Sequence, residues 1–278
     1  SKQLSLKLYG MNLPTNMTAL GNAHTLSFHY CENLTDVSKL GNVYDLTFYV
    51  CKLITDVSAL GNVHKLTLYY CKFLTDVSAL GNIHTLNLSD CNNLEDVSAL
   101  GNIHTLQLSG CKKLKDVSVL GRVHNLYLAH CPLITDVSAL GNVHTLDLSC
   151  RSSQVQSSIV DVSALGNVHT LYLSGCDLIT DVSALGNVHT LGLSGCDSIM
   201  DVSALGNVHT LDLCRCMSIK DVSALHSVHN LNLSRCKYVK GVSRLESVHK
   251  LYIRDCIGIA NTDSFTNIQT DMWPIGYM

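Results

Sequence analysis

The chain has 278 residues, 46% of them hydrophobic and 15% charged, with a net charge of -3. That near balance gives no global attraction to nucleic acid or to an anionic membrane. No apolar run approaches the roughly 20 residues that span a bilayer, and the opening SKQLSLKLYG does not read as a signal peptide.

A length of this size ordinarily means one or two globular domains, but a repeat overrides that expectation. Asp36, Asp56, Asp76, Asp96, Asp116 and Asp136 fall every 20 residues, as do Asp161, Asp181, Asp201 and Asp221 after a slip of five. Each unit reads V-H-T-L-x-L-S-x-C-x-x-I-T-D-V-S-A-L-G-N. Near-copies at a fixed short period are the signature of stacked repeats, each unit touching only its neighbours.

In chain order within a unit, T-L-x-L-S alternates apolar and polar residues with period two, which predicts a half-buried strand. Pairs such as Leu26/Phe28, Leu66/Leu68, Leu106/Leu108, Leu171/Leu173 and Leu211/Leu213 face inward. A 20-residue coil can join its neighbour only as a parallel strand, so roughly thirteen coils at about 4.8 Å predict an array on the order of 60 Å long. A further apolar residue (Leu34, Ile54, Leu74, Ile179, Ile219) turns the chain inward after each cysteine. Asp then suits the N-cap of a short helical turn, 3₁₀ rather than α for want of length. Gly-Asn breaks the turn and returns the chain to the next strand.

The motif L-x-x-L-x-L-x-x-C, read from Val188 as V-H-T-L-G-L-S-G-C, resembles the leucine-rich repeat. C-x-x-I-T-D, as in Cys51 to Asp56, is similar to the cysteine-containing class, and the short D-V-S-A-L segment is similar to compact internalin-type repeats. The near-identical copies also resemble repeat-rich proteins of large amoeba-infecting DNA viruses. The resemblance implies an α/β solenoid, a horseshoe with one parallel strand per coil and short 3₁₀ or irregular convex segments. It implies an array over residues 1–256, an irregular coil with an inserted loop at 149–160, and a C-terminal cap over 257–278.

Departures from the repeat mark these boundaries. Met11 and Pro14 degrade the first unit, which predicts an exposed edge strand. In the eighth unit Arg151 takes the cysteine position, Cys150 is displaced and RSSQVQSSIV carries the five extra residues. His226, Ser227, Glu246 and Ser247 replace Gly-Asn in the last two units, Gly241 replaces Asp, and Trp273 with Pro274 gives the tail aromatic surface for a cap.

Stacking turns each repeat position into a column. Eleven of the thirteen cysteines share one position, where a small buried apolar side chain fits. Reduced structural thiols point to a reducing compartment, cytoplasmic, or host cytoplasm or virion if the chain is viral; sequons at Asn16, Asn33, Asn87 and Asn232 agree weakly, since glycans at the last two would sit on the strand face. Histidine recurs from His24 to His249 with Tyr44 in the one gap. An evenly spaced line does not close a four-ligand metal shell, so neutral imidazoles bonded to the adjacent coil are expected. Repulsion between charges 5 Å apart, about 1 kcal/mol in water and about 3 at an effective dielectric of 20, predicts pKa values below about 6.5.

The aspartates have one oxygen-bearing neighbour type, a serine two residues on, too few for calcium. Capping is expected, with Lys52, Lys72, Lys112, Lys113, Lys115, Lys220, Lys237 and Lys240 offsetting their repulsion. The Asn column reads as turn chemistry, and a threonine column interrupted by Asp45, Lys65 and Asn125 argues against an ice-binding surface. No nucleophile elbow, phosphate loop or zincin motif is present, so no catalytic residue, metal or cofactor is expected. Cys214 points outward beside Arg215, as an incidental exposed thiol.

What remains is the strand face, where the coils differ. His29, Tyr30, Tyr49, Val50, Tyr69 and Tyr70 should lie side by side, and tyrosine is enriched at interface hot spots. Asp212, Arg215, Arg235, Tyr252, Arg254 and Asp255 form a second, mixed charged patch, and the inserted loop at 151–160 could flank either site. The sequence therefore predicts a non-enzymatic module binding a protein partner on the concave face, without nucleic acid or membrane. The alternatives are a self-assembling scaffold, a homo-oligomer joined through the N-terminal edge, or a substrate-recognition adaptor, although no F-box-like helical segment is present.

Overall fold

A computed structural model describes residues 4–10, 17–151, 155–256, 268, 269 and 273. The chain divides into two compact units, Ser1–Ile134 and Thr135–Met278. The first carries β1 (Ser5–Tyr9), β2 (Thr25–His29), β3 (Asp45–Tyr49), β4 (Lys65–Tyr69), β5 (Thr85–Asn87), β6 (Thr105–Gln107) and β7 (Asn125–Tyr127). The second carries β8 (Thr145–Asp147), β9 (Thr170–Tyr172), β10 (Thr190–Gly192), β11 (Thr210–Asp212), β12 (Asn230–Asn232) and β13 (Lys250–Tyr252). Within each unit the strands pair in sequence order and in parallel. Leu46 lies between Leu26 and Leu66, and Leu211 between Leu191 and Leu231, so equivalent residues of successive coils face each other.

In the coils that start at β2 through β11, seven side chains each point inward. In the third coil these are Leu46, Phe48, Cys51, Ile54, Val57, Leu60 and Val63, none more than 2% exposed. Stacking aligns each with its own kind, as in the Phe28 and Phe48 rings at 5.3 Å and 12°. The apolar columns therefore form a continuous core that no single coil could close.

The thiol column is hydrogen-bonded as well as buried. Cys91, Cys111, Cys196, Cys216 and Cys236 each donate Sγ–H to a carbonyl of the preceding coil, at 3.0–3.3 Å. That acceptor is the second strand leucine, for instance Leu68 for Cys91. Burial pushes the Cys51, Cys91 and Cys196 thiols up to about 12, and every cysteine is free.

Short 3₁₀ turns follow, such as Ser58–Leu60 and Ser183–Asn187. The aspartates do not cap them as expected. Val57 occupies the cap position with no side-chain bond, while Asp56 Oδ1 one residue earlier accepts the Ser58 N–H at 2.9 Å. The same i to i+2 bond recurs from Asp36 to Asp221. It is an Asx turn, and the bonds from Ser38 hold the Asp36 carboxyl below its ordinary value. Nearby basic groups do act on this column, Lys39 lowering the Asp36 carboxyl further and Arg244 that of Asp221. Exposed ion pairs also join Lys65 to Asp45, Lys113 to Glu95 and Arg235 to Asp255.

The Gly-Asn glycine ends the turn as expected, Gly61 being the C-cap of Ser58–Leu60, and it has a second task. Gly61 has an ordinary helical φ of -62°. A Cβ there would lie 2.5 Å from the Ala79 carbonyl oxygen of the next coil, and at Gly186 2.4 Å from that of Ala204. Glycine permits the backbones to approach.

In the second unit the chain absorbs the five extra residues after β8. Cys150 is buried and donates Sγ–H to the Val155 carbonyl at 3.1 Å, while Arg151 reaches Ser174 Oγ at 2.7 Å. Ser157 is buried and hydrogen-bonds Cys176; residues 152–154 lie outside the described set. So do Met11, Pro14 and most of the expected cap over 257–278. Of that cap, Gln269 N–H donates to Leu251 O at 2.8 Å, and Trp273 meets Tyr252 edge-on at 4.8 Å.

Imidazoles such as His84 and His104 stack on the adjacent coil, where bonds to it were expected. His64, His84 and His104 lie 4.8–4.9 Å apart, and His189, His209, His229 and His249 4.4–4.6 Å apart. Nδ1 pairs instead with the hydroxyl of the next residue, as His104 with Thr105 at 3.2 Å. Desolvation, followed by repulsion from the flanking histidines, lowers the His104 and His209 pKa values. An NMR titration should place both below about 6.5, and a value at or above it would contradict the stacked geometry. As pH falls from about 6.5 the unfolded chain takes up protons first, so stability drops until the folded-state values are passed.

Candidate protein-interaction surface

The strand face of the first unit carries an unbroken aromatic row at the last position of its five-residue strands. Tyr9 stacks on His29 at 4.8 Å, His29 lies tilted against Tyr49 at 5.7 Å, and Tyr49 stacks on Tyr69 at 4.7 Å and 9°. The strands hold these rings because parallel pairing places Tyr9, His29, Tyr49 and Tyr69 in register. Tyr9 is 67% exposed, whereas His29, Tyr49 and Tyr69 are half-buried against one another.

A second line runs beside the first. Tyr30, Val50, Tyr70 and Asp90 all have positive φ, between 55° and 60°. The ladder imposes this. Their N–H groups donate to Tyr49, Tyr69, Ser89 and Ser109 carbonyls of the next coil at 2.8–2.9 Å, after which the chain must turn to bring cysteine inward. Gly110, Gly175 and Gly195 occupy the same place with φ of 73–77°, the conformation only glycine adopts without penalty. A left-handed β-branched residue is a true outlier, and the conformation costs about 1–2 kcal/mol. Val50→Gly should therefore raise stability by about 1 kcal/mol in denaturant unfolding; a loss would contradict the strain.

The sequence-predicted cluster thus comes together in two lines: His29, Tyr49 and Tyr69 in one, Tyr30, Val50 and Tyr70 in the other. Tyr30 packs edge-on against Tyr49 at 5.5 Å, and Tyr69 faces Tyr70 at 6.5 Å. Two members escaped the sequence argument. Tyr9 belongs to the degraded first unit, and Asp90 ends the second line. The Tyr69 hydroxyl donates to Asp90, which with burial raises that phenol to about 12. Beyond β4 the row becomes Ser89, Ser109 and Ala129.

The second patch is less open than its outward phase suggests. Arg215, Arg235, Arg254 and Asp255 are exposed, with Arg235 Nε 3.3 Å from Asp255 Oδ2. Asp212 and Tyr252 are buried instead. Asp212 accepts the Cys214 N–H and Asn232 Nδ2 at 3.0 and 2.9 Å, while burial raises its carboxyl pKa against those bonds. Asn232, itself buried, is no glycan acceptor in this fold. Cys214 is half-buried with its thiol raised, chiefly by desolvation, so Arg215 does not activate it. Among the described residues no group of three or more acidic, histidine or cysteine side chains could hold a metal, and no helix is long and apolar enough to cross a membrane.

One parallel strand per coil, inward leucines and thiols, and 3₁₀ turns on the return make this a leucine-rich repeat fold. Solved structures agree. Internalin InlF from Listeria monocytogenes superposes with a TM-score of 0.60 at 21% identity, over 92% of this chain and 87% of that one. The functional domain of InlJ from the same organism, described as including a cysteine ladder, gives 0.52 at 20% identity, over 90% of this chain and 63% of that one. TLR13 bound to ssRNA13 gives 0.50 at 19% identity, over 86% and 48%. The viral resemblance gains no support from them. No family model matches the sequence, and no curated protein matches it.

Proposed function

We propose that the chain is a non-enzymatic interaction module that binds a protein partner on the strand face of its first unit. The observation carrying this is the aromatic row Tyr9–His29–Tyr49–Tyr69 with Tyr30 against it. Aromatic pairs also stabilise sheets, but the core is already closed beneath the row by Leu66, Leu68 and their equivalents. Tyr9 and Tyr30 remain more than half exposed, and a contiguous apolar patch of this kind marks interaction. The net charge of -3 gives no general attraction to nucleic acid and favours a protein partner. Thirteen free thiols favour a reducing compartment such as the cytoplasm.

The second reading is a scaffold that self-associates through the edge of β1, favoured by Leu6 and Leu8, which are half-buried there but buried at the same phase in β2, β3 and β4. The double variant Tyr49→Ala/Tyr69→Ala separates the two. Under the interaction reading it should abolish capture of a cross-linked partner from the native host while circular dichroism stays unchanged. Unaltered capture, with self-association that responds only to changes in β1, would replace it with the scaffold.

A further inference from the structure

We infer that the partner presents an acidic segment, its carboxylates meeting Lys52 and Lys72 and its apolar side chains lying over Val50, Leu53, Tyr70 and Phe73. The inference rests on the interaction reading above and adds the chemistry of the partner. Two observations carry it.

The first is an apolar surface that does not stop where the strands end. After Val50 and Tyr70 the chain buries Cys51 and Cys71 and closes two tight turns. Ile54 N–H donates to Cys51 O at 3.4 Å, and Leu74 N–H to Cys71 O at 3.1 Å. Each turn pushes its two central residues away from the core, Lys52 with Leu53 and Lys72 with Phe73. Leu53 is 41% and Phe73 48% exposed, while Ile54 and Leu74 beside them are fully buried. The core therefore has no use for Leu53 and Phe73. They extend the patch of Tyr30, Tyr49 and Tyr69 round the end of the strands, and a contiguous exposed apolar surface marks a contact.

The second is charge. Lys52 and Lys72 hold the same turn position in successive coils, about one strand spacing of 4.8 Å apart, and among the described residues neither joins an ion pair. The acids nearby are otherwise engaged, with one exception. Asp45 pairs with Lys65 at 3.2 Å, and Asp90 accepts the Tyr69 hydroxyl. Asp56 and Asp76 lie past the inward Ile54 and Leu74, where they accept the Ser58 and Ser78 N–H groups. The exception is Glu32, exposed one coil before Lys52, and Lys7 and Lys112 are exposed farther along the stack with the sign of the pair. The repeat itself does not call for lysine at this position. In the second unit Asp177 and Asp197 occupy it, and Asp197 Oδ1 accepts the Met217 N–H of the next coil at 3.1 Å. Two like charges bordering apolar side chains select a partner of opposite sign.

The test presents the full chain with two displayed peptide libraries that share randomised apolar positions. One carries aspartate and glutamate between them, the other lysine and arginine. Support is enrichment of acidic clones that lose about tenfold or more with Lys52→Glu/Lys72→Glu, weaken as salt is raised and gain about twofold with Glu32→Gln. Both lysines sit on turns outside the core, so circular dichroism should be unchanged in these variants. Acidic clones indifferent to the charge reversal, or enrichment of basic clones, overturn the acidic partner. The interaction reading stands in that case if the clones still depend on Tyr49 and Tyr69. An absence of clones sensitive either to the lysines or to Tyr49→Ala/Tyr69→Ala overturns both the chemistry and the surface. A single-stranded oligonucleotide bound more tightly than any acidic clone replaces the acidic peptide with nucleic acid.

Discussion

Replacing Leu106 by alanine should cost about 2–5 kcal/mol, the range for emptying a leucine site that cannot collapse. Leu106 is fully buried and lies in register between Leu86 and Leu126. Parallel pairing fixes the separation of those coils, so the cavity cannot close by sliding one strand toward the next. Because each coil leans only on its neighbours, the damage should centre on β5–β7. Hydrogen exchange should rise first there and last near β1. A loss below about 1 kcal/mol, or exchange rising evenly through the unit, would show that the leucine column is not the continuous core described.

The second large effect is expected at a residue with no side chain. Gly186→Ala should destabilise by about 1–3 kcal/mol, and Gly186→Val by more, as overpacking does. The new Cβ would meet the Ala204 carbonyl oxygen at 2.4 Å, a rigid backbone atom of the next coil. A helix-propensity argument predicts the opposite sign, since alanine replaces glycine at a helical φ. Thermal unfolding of Gly186→Ala therefore discriminates. A raised Tm would mean the coils can part cheaply, and a lowered one that close approach sets the pitch of the stack.

Periodicity made the interior legible. The strand leucines, the cysteines and the apolar return residues recur at fixed phase, and parallel stacking gives each phase one environment. The aspartate column was read correctly as backbone hydrogen bonding but one residue late, because Asp56 bonds Ser58 from outside the turn that Val57 opens. The left-handed column was missed because Tyr30, Val50 and Tyr70 conceal it; Gly110, Gly175 and Gly195 at the same phase were its signal. Outward phase also says nothing of what lies above a strand. Asp212 is in phase with half-buried Thr210 and Cys214, and Tyr252 with exposed Lys250 and Arg254, yet Asn232 bonds the first and Trp273 covers the second. Tyr9 was lost with the degraded first unit, although β1 pairs with β2 in full register.

Thiol accessibility tests the in-phase coiling most directly, because the cysteine column samples nearly every coil at once. With a chromogenic disulfide reagent on the native protein, prompt reaction should be confined to Cys214 and Cys256, the two half-buried cysteines. All thirteen thiols should appear on unfolding. Prompt reaction of Cys91, Cys111 or Cys196, or fewer than thirteen thiols in denaturant, would contradict a stack that turns thiols inward and tyrosines out.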